Sequence, residues 1–392
     1  MSINEENAYR ITKRLAFPRL IGSKGENKAK KVVLDEFRNA GYDKVEREKF
    51  KTSFYNWIFA RYVFIPVGIL LIVLSLSFYF SHWLTLILLA ATILILIKGL
   101  SFLESSTITL SKNEEHNYET ENFYTTLKNE NAKGTVIFMA HWDSKSQTFP
   151  SAVRILILIL TILGGISLLV ILLILSILKI FIPFNLPILN HILLLISIGL
   201  AGIGFLNYFN KTGNKSPAAF DNAASVGTLI ELSRYYKENP PSNLECIFLS
   251  TSSEELNLGG AKDFIKRHES EFDKQTTYFI NYDGIGGSGY VRLITSYGIP
   301  RKSSSKHLNK LFNEAADELA IDLRDVYLPT GAWSDFMPMV KKGFKACWLA
   351  SNPGLKYVHT PKDTMDLVSK KGLKNGLDLT LEVVSKLNNE IQ

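Results

Sequence analysis

Side chains that could bind a metal follow a short apolar segment near residue 140. Residues 136–140 (VIFMA) predict a buried central strand, because they are apolar and begin with two β-branched residues. His141 and Asp143 come directly after it, at the strand end where open α/β folds bind their ligands. A neutral imidazole can bind a metal through one ring nitrogen while a nearby carboxylate holds the other ring N–H. A lone histidine, however, is more often an ordinary core or surface residue.

Four further polar clusters lie at the ends of predicted strands or at the start of a predicted helix. They are Asp221 with Asn222, Glu254 with Glu255, Asp283, and His359. Taken singly, each has an ordinary structural explanation, such as a helix cap, a solvated turn or an exposed loop histidine. Taken together, they offer enough imidazole and carboxylate groups for a binuclear metal site.

The residue types favour a pair of divalent ions such as zinc. Two histidines and three carboxylates are hard-to-borderline ligands, unlike the thiolates of many structural zinc sites. Five ligands for two ions require that one carboxylate be shared, as in the two-metal centres of hydrolases. One glutamate of the adjacent pair is then left free to act as a base.

Composition narrows the choice of partners. The chain has 392 residues and a net charge of +7, but no basic run is interleaved with aromatic residues, so nucleic acid is not an expected partner. The positive charge fits contact with an anionic membrane surface. Both cysteines, Cys246 and Cys347, lie in apolar runs and are predicted to be buried side chains.

Four stretches are apolar enough to cross a lipid bilayer, namely residues 58–80, 83–103, 155–178 and 186–209. Each has about the length needed to cross roughly 30 Å of hydrocarbon. The alternative, burial in a soluble core, would require four consecutive helices without a polar face. The short turns 81–82 and 179–185 arrange the spans as two transmembrane hairpins.

The charge distribution predicts the orientation of the protein. Residues 1–57, 104–154 and 210–392 lie on one side because an even number of spans separates them, and they carry nearly all Lys and Arg. The opposite turns contribute only Lys179. The positive-inside rule therefore predicts a multi-pass membrane protein with a cytoplasmic catalytic domain. The polar N-terminus does not resemble a signal peptide, and the sequence leaves the oligomeric state open.

The remaining segments alternate between predicted strands and helices. From residue 221 onward the pattern favours a mixed, mostly parallel sheet with helices on both faces, which is a three-layer α/β/α sandwich. Residues 122–127 and 135–140 are predicted to pair directly as strands across the turn KNENAKG. The two hairpins, residues 57–103 and 153–209, would then interrupt a single discontinuous domain of residues 1–56, 104–152 and 210–392.

The ordered motifs HWDS, FDNAAS, SEE, NYDGIG and VHTPKDT resemble those of a family of zinc exopeptidases. This family includes bacterial leucyl aminopeptidase, aminopeptidase Y, glutamate carboxypeptidase and glutaminyl cyclase. The resemblance begins at PRLIGSKGENKAKKVVLDEFRNAGY and covers the non-membrane segments almost end to end. It implies an aminopeptidase that hydrolyses N-terminal peptide bonds with metal-activated water.

The resemblance also implies a role for each polar cluster. His141 and Asp283 would hold one zinc ion, Glu255 and His359 would hold a second, and Asp221 would bridge the two. Glu254 would be the general base, and Asp143 would support His141. The expected substrate is a peptide with a free N-terminus.

Two departures from the family pattern stand out. His141 and Asp221 are 80 residues apart, and removal of residues 151–215 would leave 15, so the second hairpin resembles an insertion. Many relatives carry a histidine after the aspartate of a segment matching GAWSDFMP, but Phe336 follows Asp335 here. Two alternatives remain open, a glutaminyl cyclase, which HWDSK also resembles, and a catalytically inactive scaffold of the same fold.

Overall fold

The computed structural model describes residues 2–103, 107–182, 184, 186–329, 332–353 and 356–391. Glu104 and Asn185, which bound predicted segments, and Gly331 of GAWSDFMP lie outside the described residues. The chain divides into two compact units. The α/β unit comprises Met1–Phe54, Thr107–Ser151 and Thr212–Gln392, and the helical unit comprises Tyr55–Ser106 and Ala152–Lys211.

The described residues of the α/β unit contain eleven strands. They are β1 (Glu46–Ser53), β2 (Asn117–Leu127), β3 (Gly134–His141), β4 (Ser146–Gln147), β5 (Thr212–Gly213), β6 (Leu244–Thr251), β7 (Thr277–Tyr282), β8 (Val291–Tyr297), β9 (Lys302–Ser303), β10 (Leu323–Leu328) and β11 (Lys345–Ser351). Nine of them form one sheet in the order β1-β2-β6-β3-β7-β11-β8-β10, with β9 paired to β8. Strands β4 and β5 form a separate two-stranded ribbon.

The central strands are parallel and the flanking strands are mixed. Strands β6, β3, β7 and β11 run parallel, whereas β1 and β2 are antiparallel to their neighbours and β8 is antiparallel to β11. Residues Val136 and Ala140 of β3 are fully buried, as expected for a strand covered on both faces. The predicted mixed sheet with a buried strand at residues 136–140 is therefore confirmed.

The predicted direct pairing of residues 122–127 with 135–140 is wrong. Strand β6 lies between β2 and β3, antiparallel to the first and parallel to the second. The short turn KNENAKG suggested a hairpin, but β3 takes the equally apolar β6 and β7 as its two neighbours. Parallel strands that are covered on both faces are characteristically apolar, which is consistent with the position of β3 between β6 and β7.

Twelve α-helices accompany the strands among the described residues. They are α1 (Glu5–Leu15), α2 (Lys24–Asn39), α3 (Tyr55–Tyr62), α4 (Phe64–Phe80), α5 (His82–Leu103), α6 (Ser151–Phe181), α7 (Pro187–Phe205), α8 (Ala224–Glu238), α9 (Gly259–His268), α10 (Lys306–Glu318), α11 (Phe336–Lys341) and α12 (Lys370–Glu390). Helices α3, α4, α5 and α7 and nearly all of α6 belong to the helical unit.

Alternate residues of the central strand contact helices on opposite faces of the sheet. Phe138 of β3 stacks on Tyr236 of α8. Its neighbours Ile137 and Met139 instead join a core cluster with Phe264 of α9. Because side chains alternate between the two faces of a strand, the sheet is covered on both sides. The predicted three-layer α/β/α architecture is thus observed.

The second helix illustrates how local sequence sets an element. Ser23 caps its first turn by accepting a hydrogen bond from the amide of Glu26. Ala29, Val33 and Phe37 are fully buried and recur at helical spacing. Gly41 follows the helix end with a φ of +92°, a conformation that glycine adopts without steric cost. Local capping and the spacing of the apolar residues therefore account for this amphipathic helix.

The helical unit contains three helices that are long and apolar enough to cross a membrane, counted over the described residues. They are Tyr55–Phe80, which combines α3 and α4, Ser151–Phe181, which is α6, and Pro187–Phe209, which extends α7 by a 3₁₀ turn. A shorter apolar helix covers His82–Ile95 of α5. Three of the four predicted spans therefore coincide with helices of sufficient length and apolar composition, whereas the described apolar part of α5 is shorter than a full crossing. Within the unit, Gly68 of α4 allows close packing on α7, since a Cβ there would lie 2.9 Å from that of Ala201.

Candidate metal centre

The polar side chains predicted to form the site come together at one edge of the sheet. His141 is the last residue of β3, and Asp283 follows directly after β7. Glu254 and Glu255 follow β6 in a short 3₁₀ turn. Because β6, β3 and β7 are parallel neighbours, their carboxyl ends meet at the same edge, which is where open α/β sheets bind ligands.

The first group of potential ligands consists of His141, Asp221 and Asp283, whose ligand atoms lie within 4.8 Å of one another. Nε2 of His141 is 3.3 Å from Oδ1 of Asp221 and 3.8 Å from Oδ1 of Asp283. This nitrogen is buried and makes no hydrogen bond to any residue that the structure describes. A buried imidazole nitrogen without a hydrogen-bond partner requires an explanation, and its position beside two carboxylates fits a bound cation.

The second group consists of Asp221, Glu255 and His359. Nε2 of His359 is 3.1 Å from Oδ2 of Asp221 and 3.1 Å from Oε2 of Glu255. Asp221 belongs to both groups, with Oδ1 facing the first and Oδ2 facing the second. The sequence argument that two ions must share one carboxylate thus has a matching arrangement in the fold.

The environment of Asp221 favours its ionised form. Burial alone would raise its pKa, but the imidazoles of His141 and His359 hold the pKa of Asp221 well below its ordinary value. Asp221 and Asn222 have non-helical backbone angles, and α8 begins only at Ala224, so the structure does not support the helix-cap alternative for Asp221. The side chain of Asn222 donates a hydrogen bond to the carbonyl of Tyr282 and accepts one from the amide of Gly284, the two residues that flank Asp283.

Glu254 lies beside the first group without belonging to either. Its Oε2 is 3.9 Å from Nε2 of His141. Burial raises the pKa of the Glu254 carboxyl well above its ordinary value, with His141 opposing and Asp283 reinforcing the shift. A buried carboxylate that lies beside a candidate ligand group without belonging to it is placed to exchange a proton there, which is the geometric requirement for a general base.

Asp143 supports more of the site than the sequence suggested. Nδ1 of His141 is 3.3 Å from the main-chain carbonyl oxygen of Asp143 and 3.5 Å from its Oδ1. The same carboxylate also accepts hydrogen bonds from the amides of Glu254 and Glu255, at 3.2 and 3.3 Å. Asp143 therefore links the end of β3 to the turn that carries both glutamates.

Lys145 is a buried cation at the second group. Its Nζ lies 2.7 Å from Oε2 of Glu255, and its amide donates to Oε1 of the same residue. Burial would raise the pKa of Glu255, but His359 and Lys145 together lower it to about 2. The sequence motifs indicated no role for Lys145. Its contact with Glu255 forms only because the turn after β6 lies beside it in the fold.

Two further residues of the site emerge only from the fold. Ser334 donates a hydrogen bond of 2.6 Å to Oδ2 of Asp283. The adjacent Asp335 is buried and accepts a 2.5 Å hydrogen bond from Thr251. Burial raises the pKa of Asp335 to about 7, with His141 opposing the shift. In the sequence, the segment GAWSDFMP differs from many relatives in having Phe336 where they carry a histidine. Nothing in its local pattern indicates that Asp335 is buried.

The donor set is that of zinc or a similar divalent ion. Each group offers one imidazole nitrogen and carboxylate oxygens, which are common zinc ligands. Cys246 and Cys347 are buried free thiols within β6 and β11, and neither belongs to the two ligand groups. The residues present therefore fit a pair of divalent ions that share Asp221.

Comparison with known proteins shows which family model part of the chain matches. Residues 206–384 match the model of Peptidase family M28. The matched segment contains five of the six side chains that form the two ligand groups and the adjacent Glu254, and His141 precedes it. The family resemblance predicted from the sequence motifs is thereby confirmed.

Two curated relatives bear on activity and location. Aminopeptidase YwaD of Bacillus subtilis (strain 168) is 26% identical over 174 residues, which cover 43% of this chain and 37% of that protein. A vacuolar membrane protease of Schizosaccharomyces japonicus is 37% identical over 78 residues, covering 20% of this chain and 9% of that protein. The matches thus span well under half the length of either relative.

Solved structures share the fold. A glutaminyl cyclase from an Acidobacteriales bacterium superposes with a TM-score of 0.57 at 14% identity, covering 100% of this chain and 96% of that one. The zinc aminopeptidase BSAP from Bacillus subtilis gives a TM-score of 0.55 at 14% identity, covering 98% and 95%. At this identity the likeness establishes the α/β architecture and leaves the reaction to be argued from the site.

Proposed function

We propose that this protein is a membrane-anchored di-zinc aminopeptidase. The observation that carries the proposal is the division of five side chains into two ligand groups that share Asp221, with Glu254 beside them. His141 and Asp283 would hold one zinc ion, Glu255 and His359 the other, and Asp221 both. The match to Peptidase family M28 and the likeness to a zinc aminopeptidase support a peptidase that uses zinc.

Bound zinc would supply Lewis acidity, which polarises the scissile carbonyl and makes water more acidic. The remaining steps fall to the chain itself. Glu254 would accept a proton from the attacking water and later deliver it to the leaving amine. Asp143 would keep Glu254 in place through its hydrogen bond to the Glu254 amide, and it would orient His141.

The substrate would be a peptide with a free N-terminus. The motifs HWDS, FDNAAS and VHTPKDT resemble those of zinc aminopeptidases, and this resemblance implies a substrate with a free terminal amine. The relative named aminopeptidase YwaD agrees with this substrate class.

Metal analysis of purified protein together with a screen of aminoacyl chromogenic substrates tests the proposal. We expect about two zinc ions per chain and hydrolysis that a chelator abolishes and added zinc restores. Protein that retains no zinc under mild purification, or that cleaves only internal peptide bonds, would contradict it.

A glutaminyl cyclase is the second candidate. It is supported by the motif HWDSK and by the likeness to the Acidobacteriales cyclase. A single zinc ion per chain and conversion of N-terminal glutaminyl peptides to pyroglutamyl products would favour it. An inactive scaffold of the same fold would bind zinc weakly or not at all and show neither activity.

The membrane part of the proposal comprises four spans in two hairpins, residues 57–103 and 153–209. They would interrupt one metallopeptidase domain of residues 1–56, 104–152 and 210–392, placed on the cytoplasmic side. The three apolar helices of sufficient length and the relatives named vacuolar membrane protease support membrane association. The positive-inside argument supports the orientation.

A further inference from the structure

Arg19 is a fully buried arginine in the loop between α1 and α2. It stands in the motif PRLIGSKG, to which the sequence assigned no chemical role. A buried charge is unfavourable unless it is paired or extensively hydrogen-bonded. The partners of Arg19 therefore indicate what its burial accomplishes.

The Arg19 guanidinium donates hydrogen bonds to main-chain carbonyls from three parts of the chain. Nε donates to Trp142 O at 2.6 Å, between His141 and Asp143. Nη1 and Nη2 donate to the carbonyls of Pro217 and Ala218, both at 3.0 Å. Nη1 also donates to Leu15 O and Phe17 O near the end of α1. One side chain thus ties the end of β3 to the segment that leads into Asp221.

The charge of Arg19 is balanced by nearby carboxylates. Burial lowers the pKa of the guanidinium to about 10, and Asp363, Asp143, Asp221 and Glu255 oppose that change. Arg19 therefore remains a cation at neutral pH. It supplies positive charge behind a site that is rich in carboxylates, without contacting a candidate ligand directly.

Asp363 holds the same segment from its amide side. Its Oδ1 accepts a 2.7 Å hydrogen bond from the amide of Phe220, and its Oδ2 accepts one of 3.1 Å from the amide of Asp221. Its main-chain carbonyl accepts a further bond from the amide of Ala219. Asp363 is fully buried.

The segment between these two residues needs such support. Ala218 has a φ of +50°, in the left-handed region that non-glycine residues adopt only when the surrounding structure imposes it. Arg19 binds the carbonyls of Pro217 and Ala218, and Asp363 binds the amides of Phe220 and Asp221. Segment 217–221 is thus fixed through both its main-chain carbonyls and its main-chain amides.

We propose that Arg19 and Asp363 are positioning residues that hold segment 217–221 so that the two oxygens of Asp221 face the two ligand groups. This inference rests on the proposed di-zinc function. It predicts that loss of either residue weakens the binding of both ions together, because Asp221 is common to both ligand groups. A substitution of His359 would instead directly weaken the binding of only one ion, because His359 belongs to one ligand group.

Conservative variants separate this role from a general effect on folding. Arg19→Lys keeps the charge but loses the planar fork that reaches three segments. Asp363→Asn keeps one acceptor oxygen, so one of the two amides loses its partner. The matched controls are Arg38→Lys and Asp35→Asn, at an exposed ion pair in α2.

The experiment titrates detergent-purified, full-length protein with buffered free zinc and measures bound metal and thermal stability separately. We expect wild type to bind two ions, and both binding midpoints of Arg19→Lys and Asp363→Asn to move to free zinc concentrations about ten- to a hundredfold higher. The control variants should keep the wild-type midpoints. Saturating zinc should restore most of the aminopeptidase kcat of both site variants.

Several outcomes would overturn the inference. Variants with a lower melting temperature but unchanged zinc midpoints would show that the two residues serve folding alone. A shift confined to one ion would show that Asp221 is not what they position. If Arg19→Lys does not fold, Asp363→Asn alone decides by the same criteria. Wild-type protein that binds no zinc would instead refute the proposed function, and the inference with it.

Discussion

At the residue scale, the proposed site would assign metal binding and proton transfer to different side chains. Asp221 is the candidate ligand common to both groups, whereas Glu254 belongs to neither. We therefore expect Glu254→Gln to reduce aminopeptidase kcat by at least about a hundredfold, because general base catalysis typically contributes that much. Zinc content should remain near two ions per chain, as measured by metal analysis of the purified variant.

The control for this variant is Asp221→Asn, which replaces the carboxylate common to both ligand groups with a neutral amide. It should lower both activity and zinc content. Substantial residual turnover in Glu254→Gln at full zinc content would remove Glu254 from its role as the base.

Lys145 gives a second prediction at this scale. Its ammonium lies 2.7 Å from Oε2 of Glu255, so it competes for an oxygen that a cation would use. Lys145→Met removes that positive charge, and we expect the affinity of the second ligand group for zinc to rise about tenfold. Zinc binding at buffered free concentrations measures the change.

Lys112→Met, at an exposed position, is the matched control and should leave zinc affinity unchanged. A lower affinity in Lys145→Met would mean that the lysine mainly fixes the position of Glu255. The sign of the change therefore distinguishes electrostatic competition from support.

At the element scale, His268 links the end of α9 to the edge strand β1. Its Nε2 is 2.6 Å from Oε1 of Glu48, and its Nδ1 is 2.9 Å from Oε2 of Glu271. The hydrogen bond to Glu48 raises the pKa of His268 to about 9, with burial opposing and Glu271 reinforcing the shift. The protonated imidazole thus links α9 to the edge strand β1, and none of its partners here belongs to the candidate metal site.

The raised pKa predicts how stability depends on pH. A group whose pKa is higher in the folded state stabilises the fold below its unfolded pKa, about 6.5 for histidine, and loses this effect as the pH rises through 9. We expect His268→Gln to lower the free energy of unfolding by about 1 kcal/mol at pH 6, allowing for solvent screening. The difference from wild type should vanish above about pH 9.

Thermal unfolding of wild type, His268→Gln and Glu48→Gln across this pH range measures the effect. Glu48→Gln should reproduce most of the loss at pH 6, because it removes the principal partner of the imidazole. A difference that grows with rising pH would contradict the assigned direction of the pKa shift.

At the scale of the whole molecule, the proposed topology can be tested by cysteine labelling. Both native cysteines are buried, so an introduced cysteine reports against a low background. Lys112→Cys lies in the α/β unit and Ile182→Cys follows α6, and both positions are exposed. In intact cells, a membrane-impermeant maleimide should label only Ile182→Cys, and permeabilisation should add Lys112→Cys.

The reverse labelling pattern would place the metal centre on the outer side and overturn the positive-inside assignment. Equal labelling of both positions in intact cells would show that α6 does not separate them across a bilayer. Protein without either substitution is the control for background labelling.

Local patterns in the sequence determined the elements and the candidate ligands. The apolar run at residues 136–140 predicted β3, and the spacing of Ala29, Val33 and Phe37 is typical of an amphipathic helix such as α2. Such features follow from neighbours a few residues apart, so they can be predicted without the fold. The order of the polar motifs indicated which side chains should meet, and the structure brings His141, Asp221 and His359 together.

Only the tertiary structure decided which distant segments are adjacent. The insertion of β6 between β2 and β3 depends on pairing across more than a hundred residues, so the short turn between β2 and β3 gave the wrong neighbour. The roles of Asp335, Lys145 and Arg19 likewise depend on contacts between segments remote in sequence. A buried charge looks like a surface charge in the sequence, because its burial is determined by the elements that fold over it.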